Sequence, residues 1–188
     1  MKVSVEQLAQ WAQTATEKRF EVNWATVAEG LGVMPPPDYR KMIEVFGGGS
    51  FDRHIWIHAP RSNGDLYDLT SGAIEREEGL RILWKSGEDT PSWFESETDR
   101  LIAWASTGDG EYLYWWARGK ELDSAVWPMA IQNIDGEWEV FQARSIEFLM
   151  LWLLGKSDTN LISRKFAEFG NSFITYGGSV LASAHQRP

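Results

Sequence analysis

The amino-acid sequence predicts an α+β fold: a mostly antiparallel central sheet flanked by N-terminal and C-terminal helices, in a single domain. Helix-type spacing of apolar residues is clearest before residue 47 and after Ser145, whereas the middle of the chain carries strand-like runs separated by glycine turns. A length of 188 residues suits one hydrophobic core. We therefore expect an N-terminal helix over residues 1–19, an α+β core over 20–155, and a C-terminal helix with a loose tail over 156–188.

Two helices are predicted at the start of the chain. Ser4 and Gln7 have the spacing of a capping box, in which each side chain accepts a hydrogen bond from the other residue's backbone amide. Asn23 is placed to cap the second helix, and Gly32 is placed to end it.

A third helix is bounded at both ends. The prolines at 35–37 have φ fixed near the helical value, which suits the approach to a first turn. Gly47 ends the helix, and the two glycines that follow it permit backbone angles that side chains disfavour. The apolar stripe between these ends consists of Tyr39, Met42, Ile43 and Phe46.

Strands dominate the middle of the chain. The predicted strands cover residues 51–59, 65–69, 101–106, 111–117, 126–133 and 138–143. Glycine turns at 107–110 and 134–136 predict two hairpins among the last four strands. Residues 75–84 are compatible with either a helix or a strand. Pro128 lacks a backbone donor, so we expect its strand to lie at an edge or to contain a bulge.

The C-terminal part begins with a helix capped by Ser145 that is apolar almost all round, so most of its surface must be covered. Asp158 is placed to cap a final helix that ends at Gly170. Residues 171–188 are expected to be loosely held, and the side chains that would dock them are Phe173, Ile174 and Tyr176.

Composition narrows the function. The chain has 27 acidic and 18 basic residues, a net charge of −9, which argues against direct binding of nucleic acid and is compatible with a basic protein partner. The absence of cysteine excludes disulfides and thiolate chemistry. The N-terminus has no apolar leader, and the longest apolar run, residues 148–154, is too short to span a bilayer. We therefore expect a cytoplasmic protein that does not bind a membrane.

Catalytic and metal-binding patterns are missing from the sequence. His54 and His58 lie on a predicted strand, where four residues span about 13 Å, too far for one metal ion. Ser50 and Ser179 follow glycine pairs, but neither stands in a nucleophile-elbow pattern. We expect no catalytic residue, no cofactor and no metal.

The segment from Trp24 to Phe51 resembles the motif of the SUKH superfamily, which includes fungal cell-wall assembly regulators and bacterial toxin-immunity proteins. The matching residues are Trp24, Glu29, Leu31, Gly32, Pro37, Tyr39, Gly47, Gly48 and Gly49. The order of elements fits over residues 20–155. The chain departs from the commoner pattern in having three consecutive prolines and Met34 where leucine is usual.

The resemblance implies a mixed sheet flanked by helices and a non-catalytic function. We expect an immunity protein that binds and neutralises a cognate basic toxin, such as a nuclease or a deaminase. One alternative is a regulatory or scaffold module that binds other proteins, as the fungal members do. A small hydrolase ranks last because no nucleophile–base pattern is visible.

Acidic and aromatic residues concentrate around the two predicted hairpins. The candidate partner-binding residues are Asp109, Glu111, Tyr112, Tyr114, Trp116, Glu121, Asp123, Asp135, Glu137 and Glu139. Acidic side chains around aromatic anchors are typical of the rim and core of an interface. The alternative is a central strand buried on both faces, with incidental acidic residues in its turns.

Overall fold

A computed structural model describes residues 3–13, 20–60, 67–95, 97–119, 123–162 and 171–176. Its helices are α1 (Val5–Trp11), α2 (Trp24–Leu31), α3 (Pro37–Phe46), α4 (Leu69–Lys85) and α5 (Ser145–Leu153). Its strands are β1 (Gly49–Phe51), β2 (Ile55–Ile57), β3 (Arg100–Thr107), β4 (Tyr112–Ala117), β5 (Met129–Gln132), β6 (Trp138–Phe141) and β7 (Phe173–Thr175).

The strands form one antiparallel sheet in the order β6-β5-β4-β3-β2-β1-β7, which confirms the predicted α+β fold. Strand β7 pairs with β1, and Phe173 lies opposite Phe51. Residues 171–176 are therefore docked on the sheet and are not loosely held, and they include Phe173, Ile174 and Tyr176, the side chains expected to dock this segment. The rest of that predicted tail, 177–188, lies outside the described residues.

Both faces of the sheet are covered. One face packs against α1, α2, α3 and α5, and it contains the fully buried rings of Trp104 and Trp115. The other face packs against α4 and the loop that follows it, with Leu80 and Phe94 against Tyr114 and Trp116. Because successive side chains of a strand point to opposite faces, β4 is aromatic on both sides. Its double burial explains why both of its faces lack charge.

The predicted helix ends are confirmed. Ser4 and Gln7 make both hydrogen bonds of the capping box. The Asn23 side chain accepts a hydrogen bond from the amide of Thr26, and Gly32 ends α2 in the left-handed conformation with φ of 77°. These local contacts satisfy amides that a helix terminus leaves without partners.

The glycines after α3 have separate roles. Gly47 ends the helix with φ of 67°, as predicted. Gly49 lies in β1, where a Cβ atom would be 2.3 Å from the backbone oxygen of Ile174 in β7. The first glycine is needed for its backbone angles, and the second is needed because two strands approach closely there.

Two strand predictions need correction, and one open assignment is resolved. Residues 51–59 form two short strands, since Asp52 and Arg53 adopt positive φ and make a tight turn between them. Residues 75–84, which the sequence leaves open between helix and strand, belong to α4. Of the predicted strand at 65–69, residues 65 and 66 lie outside the described ranges, and Asp68 caps α4 by accepting hydrogen bonds from the amides of Thr70 and Ser71.

Pro128 was predicted at an edge or bulge, but the strand that follows it, β5, lies inside the sheet between β4 and β6. The proline precedes that strand, and its carbonyl accepts a hydrogen bond from the amide of Trp116 at 2.9 Å. Continuing the β4–β5 register places Pro128 opposite Trp116, so the missing N–H removes the second hydrogen bond of that pair. The loss falls at the start of the strand, a position where proline is tolerated.

Two helix predictions at the C-terminal end also need correction. Ser145 is the first residue of α5 and not its cap. The capping role is taken by Asp38 in α3, whose carboxylate accepts a hydrogen bond from the Ile146 amide at 3.0 Å. The Ser145 hydroxyl accepts a bond from the Trp115 indole instead. Asp158 begins no helix within residues 158–162, and the remainder of that predicted helix, 163–170, is outside the described residues.

Candidate functional site

A groove of about 640 Å³ lies at one end of the sheet, between the C-terminal end of α4 and the turns of the two hairpins. We call it the hairpin groove. The side chains of Tyr112 in β4 and Trp138 in β6 line it on the sheet side, and Leu83 and Trp84 line it on the α4 side. Its volume falls in the range of binding clefts.

Glycines shape three of the turns that border the hairpin groove. Gly87, Gly110 and Gly136 all have positive φ, of 110°, 103° and 81°. An added Cβ at Gly87 or Gly136 would meet no atom within 4 Å, so glycine is present there for its backbone angles and not for lack of space. The turns are therefore tight and leave the mouth of the groove free of side chains at these points.

The rim of the groove is acidic. Glu88, Asp89 and Asp135 line it, and all three side chains are exposed. Glu137 lies on the same turn as Asp135, where its carboxylate accepts a hydrogen bond from the Asn133 side chain at 2.8 Å. Exposed carboxylates around one opening create a local negative potential that attracts cationic groups.

One cation lies inside this acidic rim. Arg76 of α4 lines the groove and donates hydrogen bonds to Tyr114 Oη and Gln132 Oε1. Its guanidinium also lies over the Tyr112 ring, 4.1 Å from the ring centroid. The floor of the groove thus presents a positive group that is held by neutral partners.

The structure brings four of the predicted partner-binding residues to the groove. Tyr112 and Asp135 line it, and Asp109 and Glu137 lie on the two turns that border it. Ile134 lies beside Asp135 and is 76% exposed, although it was not predicted. A large apolar side chain at a hairpin tip is a contact candidate that the acidic pattern alone does not reveal.

Three predicted residues are buried instead. Tyr114 donates to Gln132 and accepts from Arg76, and burial raises the pKa of its phenol well above the usual value. Trp116 is 8% exposed and donates its indole N–H to Asp99 at 2.8 Å. Glu111 accepts a hydrogen bond from the Thr107 hydroxyl. These side chains support the sheet, and their burial removes them from any partner surface.

The remaining predicted residues lie away from the groove or outside the described residues. Glu139 accepts a hydrogen bond from the Thr159 hydroxyl at 2.5 Å, which ties the segment after α5 to β6. Asp123 caps a short 3-10 helix over Ser124–Val126. Glu121 is not among the described residues.

Asp99 is a structural carboxylate on the α4 side of the sheet. Burial works to raise its pKa, but hydrogen bonds from the Trp116 indole and from the amides of Glu95 and Gly119 outweigh that effect and hold the pKa below its usual value. The residue is therefore a charged anchor for the loop that packs on Trp116.

A second polar pair is internal. His58 Nε2 lies 3.0 Å from Ser106 Oγ, and the two residues are 2% and 7% exposed. Burial lowers the pKa of His58 to about 4, although the carbonyl of Ala103 and the charge of Asp68 oppose the shift. The rings of Tyr67 and Tyr112 pack beside the imidazole. A serine and a neutral histidine in contact can act as nucleophile and base, but here both are covered and neither lines the hairpin groove.

No group of three or more metal-ligating side chains is present within the described part of the chain. Among the same residues, no helix is both long and apolar enough to cross a bilayer. Comparison of the chain with protein-family models, with curated proteins and with solved structures finds no match.

Proposed function

We propose that this chain is a non-catalytic immunity protein of the SUKH type, which neutralises a basic toxin by binding it at the hairpin groove. The observation that carries the proposal is the composition of that groove, in which exposed carboxylates surround aromatic walls. Cationic side chains of a toxin would meet Glu88, Asp89 and Asp135, while apolar atoms would pack on Trp84 and Trp138.

The charge distribution supports a protein partner of opposite sign. The whole chain carries a net charge of −9, and the rim carboxylates concentrate part of it at one opening. Such a field accelerates diffusional encounter with a basic surface and disfavours acidic partners. A nuclease needs basic residues to bind its substrate, so an acidic inhibitor suits that class of toxin.

Apolar contact would come from the tip of the second hairpin. Ile134 projects from the turn between β5 and β6 and lines the groove. Covering its exposed apolar surface stabilises the complex. The rim charges contribute less, because they remain partly hydrated. We therefore assign the anchor of the interface to Ile134 and the steering of the partner to the carboxylates.

The proposal predicts that a reading frame next to this gene encodes a toxin module, and the test uses that module. Calorimetry should show binding by the wild type, and co-expression should protect cells from the toxin. Ile134→Asp should weaken binding by about ten-fold or more, because it places a charge in a desolvated contact. Val126→Asp is the matched control, since Val126 is 54% exposed and does not line the groove.

Two results would contradict the proposal. One is a wild-type protein that neither binds nor protects against the neighbouring toxin. The other is an equal effect of the Ile134 and Val126 substitutions on binding, which would place the contact elsewhere on the molecule.

A further inference from the structure

The hairpin groove contains a guanidinium whose hydrogen bonds and ring contact, within the described part of the chain, are with neutral groups. Arg76 donates from Nε to Tyr114 Oη at 2.8 Å and from Nη2 to Gln132 Oε1 at 2.6 Å. Its Cζ lies over the Tyr112 ring. These contacts fix the plane of the guanidinium, whereas Nη1 donates no hydrogen bond to any residue that the structure describes.

Two neighbouring arginines show what is different about Arg76. Arg81, on the same helix, and Arg100 of β3 both pair with Glu77, at 3.2 Å and 2.8 Å. Arg76 takes part in neither of these ion pairs, which are those found among the described residues. Arginine stays charged at physiological pH, so a part-buried guanidinium without a carboxylate is stabilised when an anion reaches it.

The surrounding charges restrict which anion can bind. Glu88, Asp89 and Asp135 would repel a phosphate dianion or a nucleic acid at the rim of the groove. A single carboxylate flanked by cationic side chains fits both sets of charges in the groove. The carboxylate pairs with Arg76 on the floor, and the flanking cations lie against the acidic side chains of the rim. A planar guanidinium also matches a carboxylate geometrically, with two parallel hydrogen bonds.

We propose that the hairpin groove binds a glutamate or aspartate side chain that lies between lysine or arginine residues of a protein segment, with the carboxylate seated on Arg76. The inference rests on the proposed function for the identity of the partner as a toxin. It adds the chemical pattern that the toxin presents, a basic segment with one central acid.

Two capped pentapeptides test this pattern without the toxin. One has a central glutamate with two lysines on each side, and the other has glutamine in place of the glutamate. Titration at low salt would be followed by the tryptophan fluorescence and by the indole N–H resonances of Trp84 and Trp138, which line the groove. The glutamate peptide should bind about ten-fold more tightly, the effect of one charge-assisted hydrogen-bonded pair. Equal binding, or tighter binding of the glutamine peptide, would overturn the proposal.

Protein variants locate the effect. In Arg76→Gln the preference for the glutamate peptide should disappear, while Arg76→Lys should retain part of it as a point charge without the planar fork. Arg81→Gln is the matched control, because that residue is on the same helix and does not line the groove. Persistence of the full preference in Arg76→Gln would exclude Arg76 as the seat. The peptide pair tests the proposal even if a variant fails to fold, since it leaves the protein unchanged.

The two proposals fail separately. If wild type and Arg76→Gln bind the toxin and protect cells from it equally well, the proposed function stands and the carboxylate seat is wrong. If the toxin does not bind but the glutamate peptide is preferred through Arg76, the seat stands and the proposed function falls.

Discussion

Tyr39 lies at the centre of the larger core, where its ring contacts three tryptophans. Its centroid is 4.8 Å from that of Trp115, 6.2 Å from that of Trp104 and 6.3 Å from that of Trp24, all in edge-to-face geometry. The hydroxyl donates a hydrogen bond to the carbonyl of His58, the residue that follows β2. One side chain thus joins α2 and α3 to two parts of the sheet.

Two substitutions of Tyr39 should separate the stability that its ring contributes from the stability that its hydroxyl contributes. Tyr39→Ala should lower the free energy of unfolding by about 3–5 kcal/mol, because it leaves a large cavity. Tyr39→Phe keeps the ring and should cost about 1–3 kcal/mol, since it leaves the His58 carbonyl without its donor. Urea unfolding measures both values, and a Tyr39→Ala variant as stable as wild type would contradict this account of the core.

His58 makes stability depend on pH. Its pKa is about 4 in the folded protein against 6.5 for an ordinary histidine, so the unfolded chain binds the proton more readily. The contribution is complete above pH 6.5 and is lost as the pH falls toward 4. Between about pH 7.5 and about pH 5 the free energy of unfolding should fall by about 2 kcal/mol.

The control for this pH dependence is His58→Gln, which retains a polar partner for Ser106 and does not titrate. Burial raises the pKa of Asp52, which acts in the opposite sense at lower pH, and this effect is shared by both proteins. The difference between the two unfolding curves therefore isolates the histidine. Equal pH dependence of the two proteins would show that His58 is not the group responsible.

Two glycines in helical contexts should respond in opposite ways to the same substitution. Gly47 ends α3 with φ of 67° and ψ of −154°, and an added Cβ would lie 3.0 Å from the Phe20 ring. Gly47→Ala should therefore cost about 1–3 kcal/mol. Gly79 lies inside α4 with no atom within 4 Å of an added Cβ, so Gly79→Ala should stabilise by about 0.5–1 kcal/mol. Thermal melts that shift both variants in the same direction would contradict this.

Elements defined by local chemistry are those that the sequence predicts best. The ends of α1, α2 and α3 follow from Ser4, Asn23 and Gly47, whose roles depend on residues within one helical turn. Helix α4 is ambiguous in the sequence because its apolar face is interrupted, and it becomes a helix by packing on the sheet. Strand β7 is not predictable locally, since its partner β1 is more than 100 residues away in the chain.

The hairpin groove also combines residues that nearby sequence predicts with residues that only the packing of distant elements brings there. The two turns that carry Asp109 and Asp135 are predictable because their glycine signals are local. The sequence does not identify Arg76 as a site residue. Its hydrogen bonds to Tyr114 and Gln132 form only when α4 packs on the sheet. Alternation along β4 identifies Tyr112 and Trp116 as sharing a face, but only the position of α4 decides that the first lines a groove while the second is buried.

At the scale of the whole molecule, the charges on the rim of the hairpin groove should affect the rate of binding more than its strength. Glu88→Lys with Asp135→Lys should slow association with the neighbouring toxin by about ten-fold at low salt, and the difference should shrink as salt screens the charges. Glu29→Lys with Glu78→Lys is the matched control, because it changes the net charge equally at exposed positions that do not line the groove. Stopped-flow kinetics would measure both, and equal slowing would attribute the effect to total charge and not to the rim.

The position of β7 has a consequence for how the protein is made. Strand β1 emerges early from the ribosome, but the strand that covers its outer edge, residues 173–175, is synthesised more than 120 residues later. During that interval the outer backbone groups of β1 stay open to pairing with other chains. In the folded protein the ring centroid of Phe173 lies 4.9 Å from that of Phe46 and 4.7 Å from that of Phe51. During the same interval both rings therefore lack this packing partner. Translation therefore completes this edge of the sheet only when Phe173 and its neighbours leave the ribosome.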